Sequence, residues 1–346
     1  MARSRRTRDV RTDVVRGLLL VSVGAGILAG VNNLPSPLAP AAWDGFGLAD
    51  LMAGGFPIVA GLAIAWRPRS QTPKRLARRL VILMAAGLGA SLAVHGLPLV
   101  LTGPLQQLAV ATVAVGLLSR QPQRRRLLTG LGLLAVHAWV LWASPLAGSG
   151  SLQPGHNAAA TLDQLVLGSG GLEPNDPWGV ATLPMMIVLV LVGHELGQWL
   201  RSRPDGPATA AALFVQSAWL VVAGLGSAVF VPVNRTLATP GWALLSAALV
   251  FGVFGAVHLL LHLRAGAVLS GPALVGRHGL PVIVTLTVVG TLVVGDGSGG
   301  PWRGLRDGLL QPLAGEHWVW IYVALGALTA VVIARTIDRR NWRLSA

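Results

Sequence analysis

The side chains of this sequence that can do chemistry sit in or beside stretches that are otherwise apolar. Two carboxylates, Asp44 and Asp50, lie six residues apart at the opening of one such stretch, where they suit proton transfer or the holding of an amine. Four carboxamides flank others: Asn32 and Asn33 close one, Gln106 and Gln107 open another. Amides can donate to an oxygen that gains charge in a reaction. His95 and His137 fall inside two further stretches. Such groups cost ~2.5–3.5 kcal/mol at the middle of a bilayer if ionised, which makes them functional candidates. Each also suits a structural role, Asp50 as an acceptor for the free N–H groups that open its helix.

Several chemistries are excluded or weakly signalled. There is no cysteine, so thiolate metal sites, cysteine nucleophiles and disulfides are ruled out. His258 and His262 share a helix face at a spacing that can bind a metal, but the same segment holds no carboxylate and no third histidine, and no metal is expected. His194-Glu195 lacks the second histidine of a metalloprotease helix, and no phosphate-cradling glycine loop occurs.

The elements that must position these groups are membrane helices. Of 346 residues 53% are hydrophobic and 12% charged, with a net charge of +14; a soluble domain carries about 25% charged residues. The basic residues are clumped and long stretches have none, so nucleic-acid binding is not expected. Ten apolar stretches approach the length that a ~30 Å hydrocarbon core demands: 14–31, 48–66, 80–101, 104–118, 127–143, 179–200, 208–231, 242–263, 279–295 and 317–334. The fold expected is all-α, a polytopic integral membrane bundle of about ten helices in one domain over 14–334, between a basic segment 1–13 and a tail 335–346. No small-residue cleavage site ends the first stretch, which reads as an uncleaved span.

Arginine placement sets the orientation, since basic loops stay cytoplasmic. With ten spans and both termini inside, 24 of the 27 basic residues fall on one side, and only Arg235, Arg303 and Arg306 on the other. Eight acids, Asp44, Asp50 and Asp163 among them, map to the outer side or its edge. This predicts a multi-pass protein of the plasma membrane, with the lipid bilayer as its first partner. Trp66, Trp199, Trp242, Trp318 and Trp342 fall near span ends and read as interfacial anchors. Two outer segments, 32–47 and 144–178, are long enough to carry function, and the second contains a short amphipathic stretch at 157–167.

A series of short motifs runs in order along the chain: Thr12-Asp13-Val14-Val15-Arg16-Gly17, Val31-Asn32-Asn33, Trp43-Asp44-Gly45, Ala49-Asp50-Leu51, Gly103-Pro104-Leu105-Gln106-Gln107, Asn157 to Gly168 with Asp163, Asp176-Pro177-Trp178-Gly179, Pro232-Val233-Asn234-Arg235 and Gly276-Arg277-His278. Taken together they resemble the catalytic region of the heparan-α-glucosaminide N-acetyltransferase family, membrane enzymes that pass an acetyl group from cytosolic acetyl-CoA to a glucosamine amine. The chain departs from the family pattern at five points: Pro40 stands at the place of its proposed histidine, Gln107 and Gln164 replace arginines, Trp178 a glutamate and His278 an asparagine.

The resemblance implies a transmembrane acyltransferase with acetyl-CoA as donor and an outward-facing sugar or envelope glycan as acceptor. On that reading Asp50 or Asp44 holds or deprotonates the acceptor amine, Asn32, Asn33 and Gln106 donate to the carbonyl oxygen, and His156 stands in for the missing base. Arg16, Asn234, Arg277 and His278 would serve the cofactor, and Trp43, Asp163 and Asp176 the acceptor. The basic runs Arg67–Arg79 and Arg120–Arg126 would face the CoA phosphates, or act as topogenic charge. Pro40 keeps a second reading open, a non-catalytic member of the family that binds or passes a small molecule, and homodimerisation is open on either.

Overall fold

A computed structural model of the chain describes residues 9–29, 34–36, 38–66, 72–95, 101–142, 151–168, 178–204, 206–294 and 317–340. Each of the ten apolar stretches folds as a helix or the greater part of one. These are α1 (Val10–Ala29), α2 (Leu48–Trp66), α3 (Pro73–His95), α4 (Pro104–Leu118), α5 (Gln123–Trp142), α7 (Leu183–Arg201), α8 (Pro207–Ala228), α9 (Pro240–His262), α11 (Gly279–Val294) and α12 (Trp318–Arg339). Among the described residues two further helices stand between them, α6 (Ala158–Leu167) and α10 (Gly266–Arg277). A two-residue hairpin pairs β1 (Leu152–Gln153) with β2 (His156–Asn157) just before α6, and a 3₁₀ turn (Val180–Thr182) leads into α7.

Among the described residues five segments are long and apolar enough to cross a bilayer: α2, α7 with its leading 3₁₀ turn, α8, α9 and α12. The pair α10 and α11, bent by 78° at their junction, makes a sixth if taken together. The rest of the expected ten differ for readable reasons. α1, α3 and α5 begin in basic turns, with Arg11 and Arg16, Lys74 to Arg79, and Arg124 to Arg126, so the helix outruns its apolar stretch; α4 is 15 residues long.

Small residues set the crossings. In lipid the helices gain nothing from hiding apolar surface, so close backbone approach drives their association. A Cβ on Gly61 of α2 would fall on the carbonyl of Val190 in α7, and one on Gly193 on the carbonyl of Ile58, while Gly197 faces Ala65. The rising pairs 58 with 193 and 65 with 197 mean that α2 and α7 run in the same direction. Gly17 of α1 meets the carbonyl of Pro272 in α10, and Gly276 that of Asp13. The main core lies among α1, α2, α4, α7, α8 and α9, with Ile58, Leu62, Met185, Leu189, Trp242 and Phe254 fully enclosed. A second cluster, with Leu20, Val275, Leu286 and Ala330, joins α1, α10, α11 and α12.

Contacts along the remaining helices fix their directions. α9 runs with α2, since Trp242 reaches Asp50 and Val250 lies over Gly55. α5 runs against α7, pairing Arg126 with Glu195 and Gly130 with Leu191. α8 runs against α9, with Phe214 on Gly255 and Leu245 on Gly224. α11 follows α1, with Gly279 on Arg16 and Leu286 on Gly24. Four helices, α2, α4, α7 and α9, therefore open at one end of the bundle, here called the rim, and the arginine end lies opposite.

One anchor assignment is corrected. Trp242 is 2% exposed and donates from Nε1 to the Asp50 carbonyl at 2.9 Å, so it is a core residue of the rim and not an interfacial anchor.

Gly61→Leu and Gly193→Leu place a side chain where backbone must lie, and are expected to abolish recovery of folded protein. Gly89→Ala and Gly132→Ala, which meet open space, should leave the melting temperature level or slightly raised by the ~0.4–1 kcal/mol of lost unfolded-state freedom. Size-exclusion profile and melting temperature in detergent check both.

Candidate functional site

At the rim, α2 opens with Gly47 at its cap and Asp50 as its third residue, so the carboxylate folds back over the helix start. Its Oδ2 accepts from the N–H of Gly47 at 3.0 Å and of Ala41 at 2.7 Å, and its Oδ1 lies 3.3 Å from Nε of Arg235. Asp50 is buried at 2% exposure. The segment 231–239 that brings Arg235 is a tight return between α8 and α9. Asn234 shapes it, accepting from the N–H of Leu237 at 2.9 Å and donating its own N–H to Thr239 Oγ1 at 2.9 Å. The Asn234 Nδ2 donates to Asp44 Oδ1 at 3.2 Å, and Gly45 N–H to the Val233 carbonyl at 2.7 Å. Thus the Trp43-Asp44-Gly45 and Pro232-Val233-Asn234-Arg235 motifs, about 190 residues apart, are bound to each other.

The second outer segment joins the same place. Trp43 donates from Nε1 to the Leu152 carbonyl of β1 at 3.0 Å. Asn157 caps α6 through the N–H of Ala160 at 2.9 Å, and Asp163 of α6 accepts from Ala181 N–H at 3.0 Å, which caps the 3₁₀ turn from a neighbouring helix. Gln107 donates to the Gly179 carbonyl and to Thr182 Oγ1. His137 holds the Leu237 carbonyl within 3.1 Å of its Nε2. Gln106 is buried against Gly87, and its Nε2 has no partner among the described residues. His156 is exposed in β2, where its backbone pairs with Gln153.

A cavity of about 390 Å³ lies in this rim, lined by Ala39 to Trp43, Gly45, Asp50, Arg235 and Thr236. Its size is that of a small-ligand site. Pro40 forms part of its wall. A carboxylate and a guanidinium side by side offer an acceptor and a planar donor fork to whatever enters.

The arginine end gathers the other motifs. Arg16 Nη1 donates to the Gly276 carbonyl at 3.2 Å and lies 3.5 Å from Asp13 Oδ1. His278 Nε2 is 3.0 Å from Asp338 Oδ1, with Arg277 at 4.0 Å from the same oxygen. Arg126 does not belong to an open basic surface as expected: it is buried and holds Glu195 at 2.6 and 3.1 Å through Nε and Nη2, with His194 Nδ1 at 3.2 Å from the same carboxylate.

The structure thus brings Asp44, Asp50, Trp43, Asn234 and Asp163 to one rim with Gln106 nearby in α4, and Arg16, Arg277 and His278 to the opposite end. Asn32, Asn33 and Asp176, with Trp342 and the side chain of His95, lie outside the described residues. Sequence reasoning left Arg235 and Asp338 out of the site. Arg235 had a usable signal, being one of three basic residues set apart from the arginine clusters; Asp338, within a basic tail, had none. No known family profile and no curated protein matches the chain.

Asp50→Ala strands two backbone donors and the Arg235 guanidinium and is expected to cost about 2–4 kcal/mol. Asp44→Ala, which loses one bond at the surface, should cost under about 1.5 kcal/mol. The order of the two melting temperatures in detergent is the check.

Proposed function

We propose that the chain is a ten-span membrane protein with both termini on the cytoplasmic face of the plasma membrane, acting as an acyltransferase that takes an acyl group from acyl-CoA at the arginine end and serves an outward-facing sugar or glycan at the rim. The observation that carries this reading is the sorting of the motifs. Segments scattered from Asp13 to His278 gather at two places, and all but one of the described residues that the resemblance gives to a substrate sort with their own kind, the exception being Asn234, given to the donor but bonded to Asp44 at the rim. Arg16, Arg277 and His278 stand for the donor; Asp44, Asp50, Trp43 and Asp163 stand for the acceptor.

The helix directions agree with this path. In an alternating ten-span chain α2, α4, α7, α9 and α12 run inward and α1, α5, α8 and α11 outward, and the contacts among them have that sense. Among the five helices that meet length and apolarity alone, α2, α7 and α9 have the larger part of their apolar windows buried.

Acyl transfer would proceed by attack of an acceptor amine or hydroxyl on the thioester carbonyl, with loss of the acceptor proton and release of CoA thiol. Asp50 or Asp44 would take the proton, and the Gln106 amide, unpartnered among the described residues, would donate to the carbonyl oxygen. A second reading has its own observation. Pro40 lines the rim cavity where the family's histidine would be, and Asp50 is already engaged by three donors, which favours a non-catalytic member that binds a small molecule.

Acetyl-CoA binding to the detergent-purified protein, with ATP as the control, separates the two. Saturable binding that prefers acetyl-CoA or CoA and weakens by about tenfold or more in Arg16→Ala, while that variant keeps its melting temperature, supports the transferase. Absence of binding to a folded wild-type protein leaves the scaffold reading.

A further inference from the structure

Arg235 is only partly used by the fold. Its Nε is on Asp50, yet among the described residues neither Nη group has a hydrogen-bond or ion-pair partner. The side chain is 33% exposed and lines the rim cavity. Asp50 does not compete for what the fork might bind, because its two oxygens already take three donors. Asp44 is bonded to Asn234 and is not part of the lining. The cavity therefore presents a guanidinium fork whose natural complement is a phosphate or carboxylate.

The helix that leads into the Arg235 return, α8, carries a bare apolar face. Along α8 the side chains of Phe214, Trp219, Val222 and Leu225 are exposed, and just beyond its end Val229 and Phe230 are 81% and 88% exposed. The one hydroxyl near that end, of Ser227, is turned back to the Gly224 carbonyl at 2.7 Å. Four residues separate Phe230 from Arg235, five steps of no more than about 18 Å of chain. Phe46, half exposed, follows Gly45 in the cavity wall. An outward apolar face whose chain leads within a few residues to a guanidinium with two free Nη groups suits the depth at which acyl chains give way to head groups.

We propose that the rim cavity binds the phosphate of an anionic membrane lipid, with the two free Nη groups of Arg235 on the phosphate oxygens and the acyl chains along the Trp219–Phe230 face of α8. On the transferase reading, the acceptor would then be carried on a lipid phosphate and met at the membrane surface. The binding itself does not depend on acyl transfer.

The test uses the full chain in a non-ionic detergent, titrated with dihexanoyl phosphatidic acid and read by native mass spectrometry. Saturable binding is expected, weaker by about tenfold or more in Arg235→Gln. Arg235→Lys, which keeps a charge beside Asp50 but not the fork, should lose a similar factor with a melting temperature near wild type, so that lost binding is not lost folding. Phe230→Ser should weaken the lipid and leave inorganic phosphate unchanged. Equal binding of dihexanoyl phosphatidylcholine, or unchanged binding in both Arg235 variants, overturns the proposal. Inorganic phosphate binding as tightly as the lipid makes the cavity a free-anion site and overturns it too. Acetyl-CoA binding, measured separately, decides the transferase reading: its failure with lipid binding intact sinks that reading alone.

Discussion

Among the described residues the bundle depends on three places where backbone touches backbone, one of them Gly24 of α1 against Gly326 of α12. Gly61 and Gly193 let α2 and α7 cross without side chains between them, and Gly17 and Gly276 do the same for α1 and α10. In a bilayer there is no hydrophobic gain to compensate for a loose crossing, so any side chain at these positions would push the helices apart. The first crossing fixes a direction as well as a distance. Because α2 and α7 run the same way, Asp50 and the turn at Gly179 to Thr182 arrive at one end, and α9 is added in the same sense through Trp242.

That shared direction explains the charge pattern. Four helices open at the rim, and helix openings are positive in potential and short of acceptors. Two of the carboxylates found there, Asp50 and Asp163, are spent on that shortage, Asp50 on its own helix and Asp163 on the turn before α7, while Asp44 is held by Asn234. The closing turns of α2 and α7 lie at the other end, and Arg201 donates there to the Ala65 carbonyl at 2.8 Å, as a cation at a helix end should. The basic side and the acidic side follow from helix direction as much as from the topogenic rule. What remains at the rim after this pairing includes two donors, the Arg235 fork and the Gln106 amide, beside the Asp44 carboxylate and the buried Gln107 Oε1.

The sequence showed its elements well and its pairings poorly. The bounds of α2 and α4 match the apolar stretches 48–66 and 104–118, and the stretch 157–167 is α6 with Asn157 as its cap, because apolar length and cap chemistry are local. Asp50 was legible as a cap acceptor for the same reason. That Arg235 also binds it was not, since the two are 185 residues apart in sequence and meet only through tertiary contacts. Trp242 misled because closeness to a span end looks the same for an anchor and for a core residue under an outer loop. The stretch 279–295 reads as a span by itself and α10 falls outside every apolar stretch, so the 78° junction between α10 and α11 shows in neither composition.

Arg126 shows how depth decides the role of a charge. From Thr182 to Arg201 the chain of α7 rises about 28 Å, close to the ~30 Å of a hydrocarbon core, and Glu195 lies six residues, about 9 Å, inside the Arg201 end. A carboxylate at that depth needs a partner. α5 supplies one because it runs against α7 and meets it at Gly130, which faces only Leu191; the close approach brings the first turn of α5 level with Glu195. Arg126 is then drawn off the basic surface formed by its neighbours Arg124 and Arg125, which stay exposed. The same run of arginines therefore supplies both an interhelical ion pair and a surface charge, and which one a given arginine becomes is set by where its helix face meets α7.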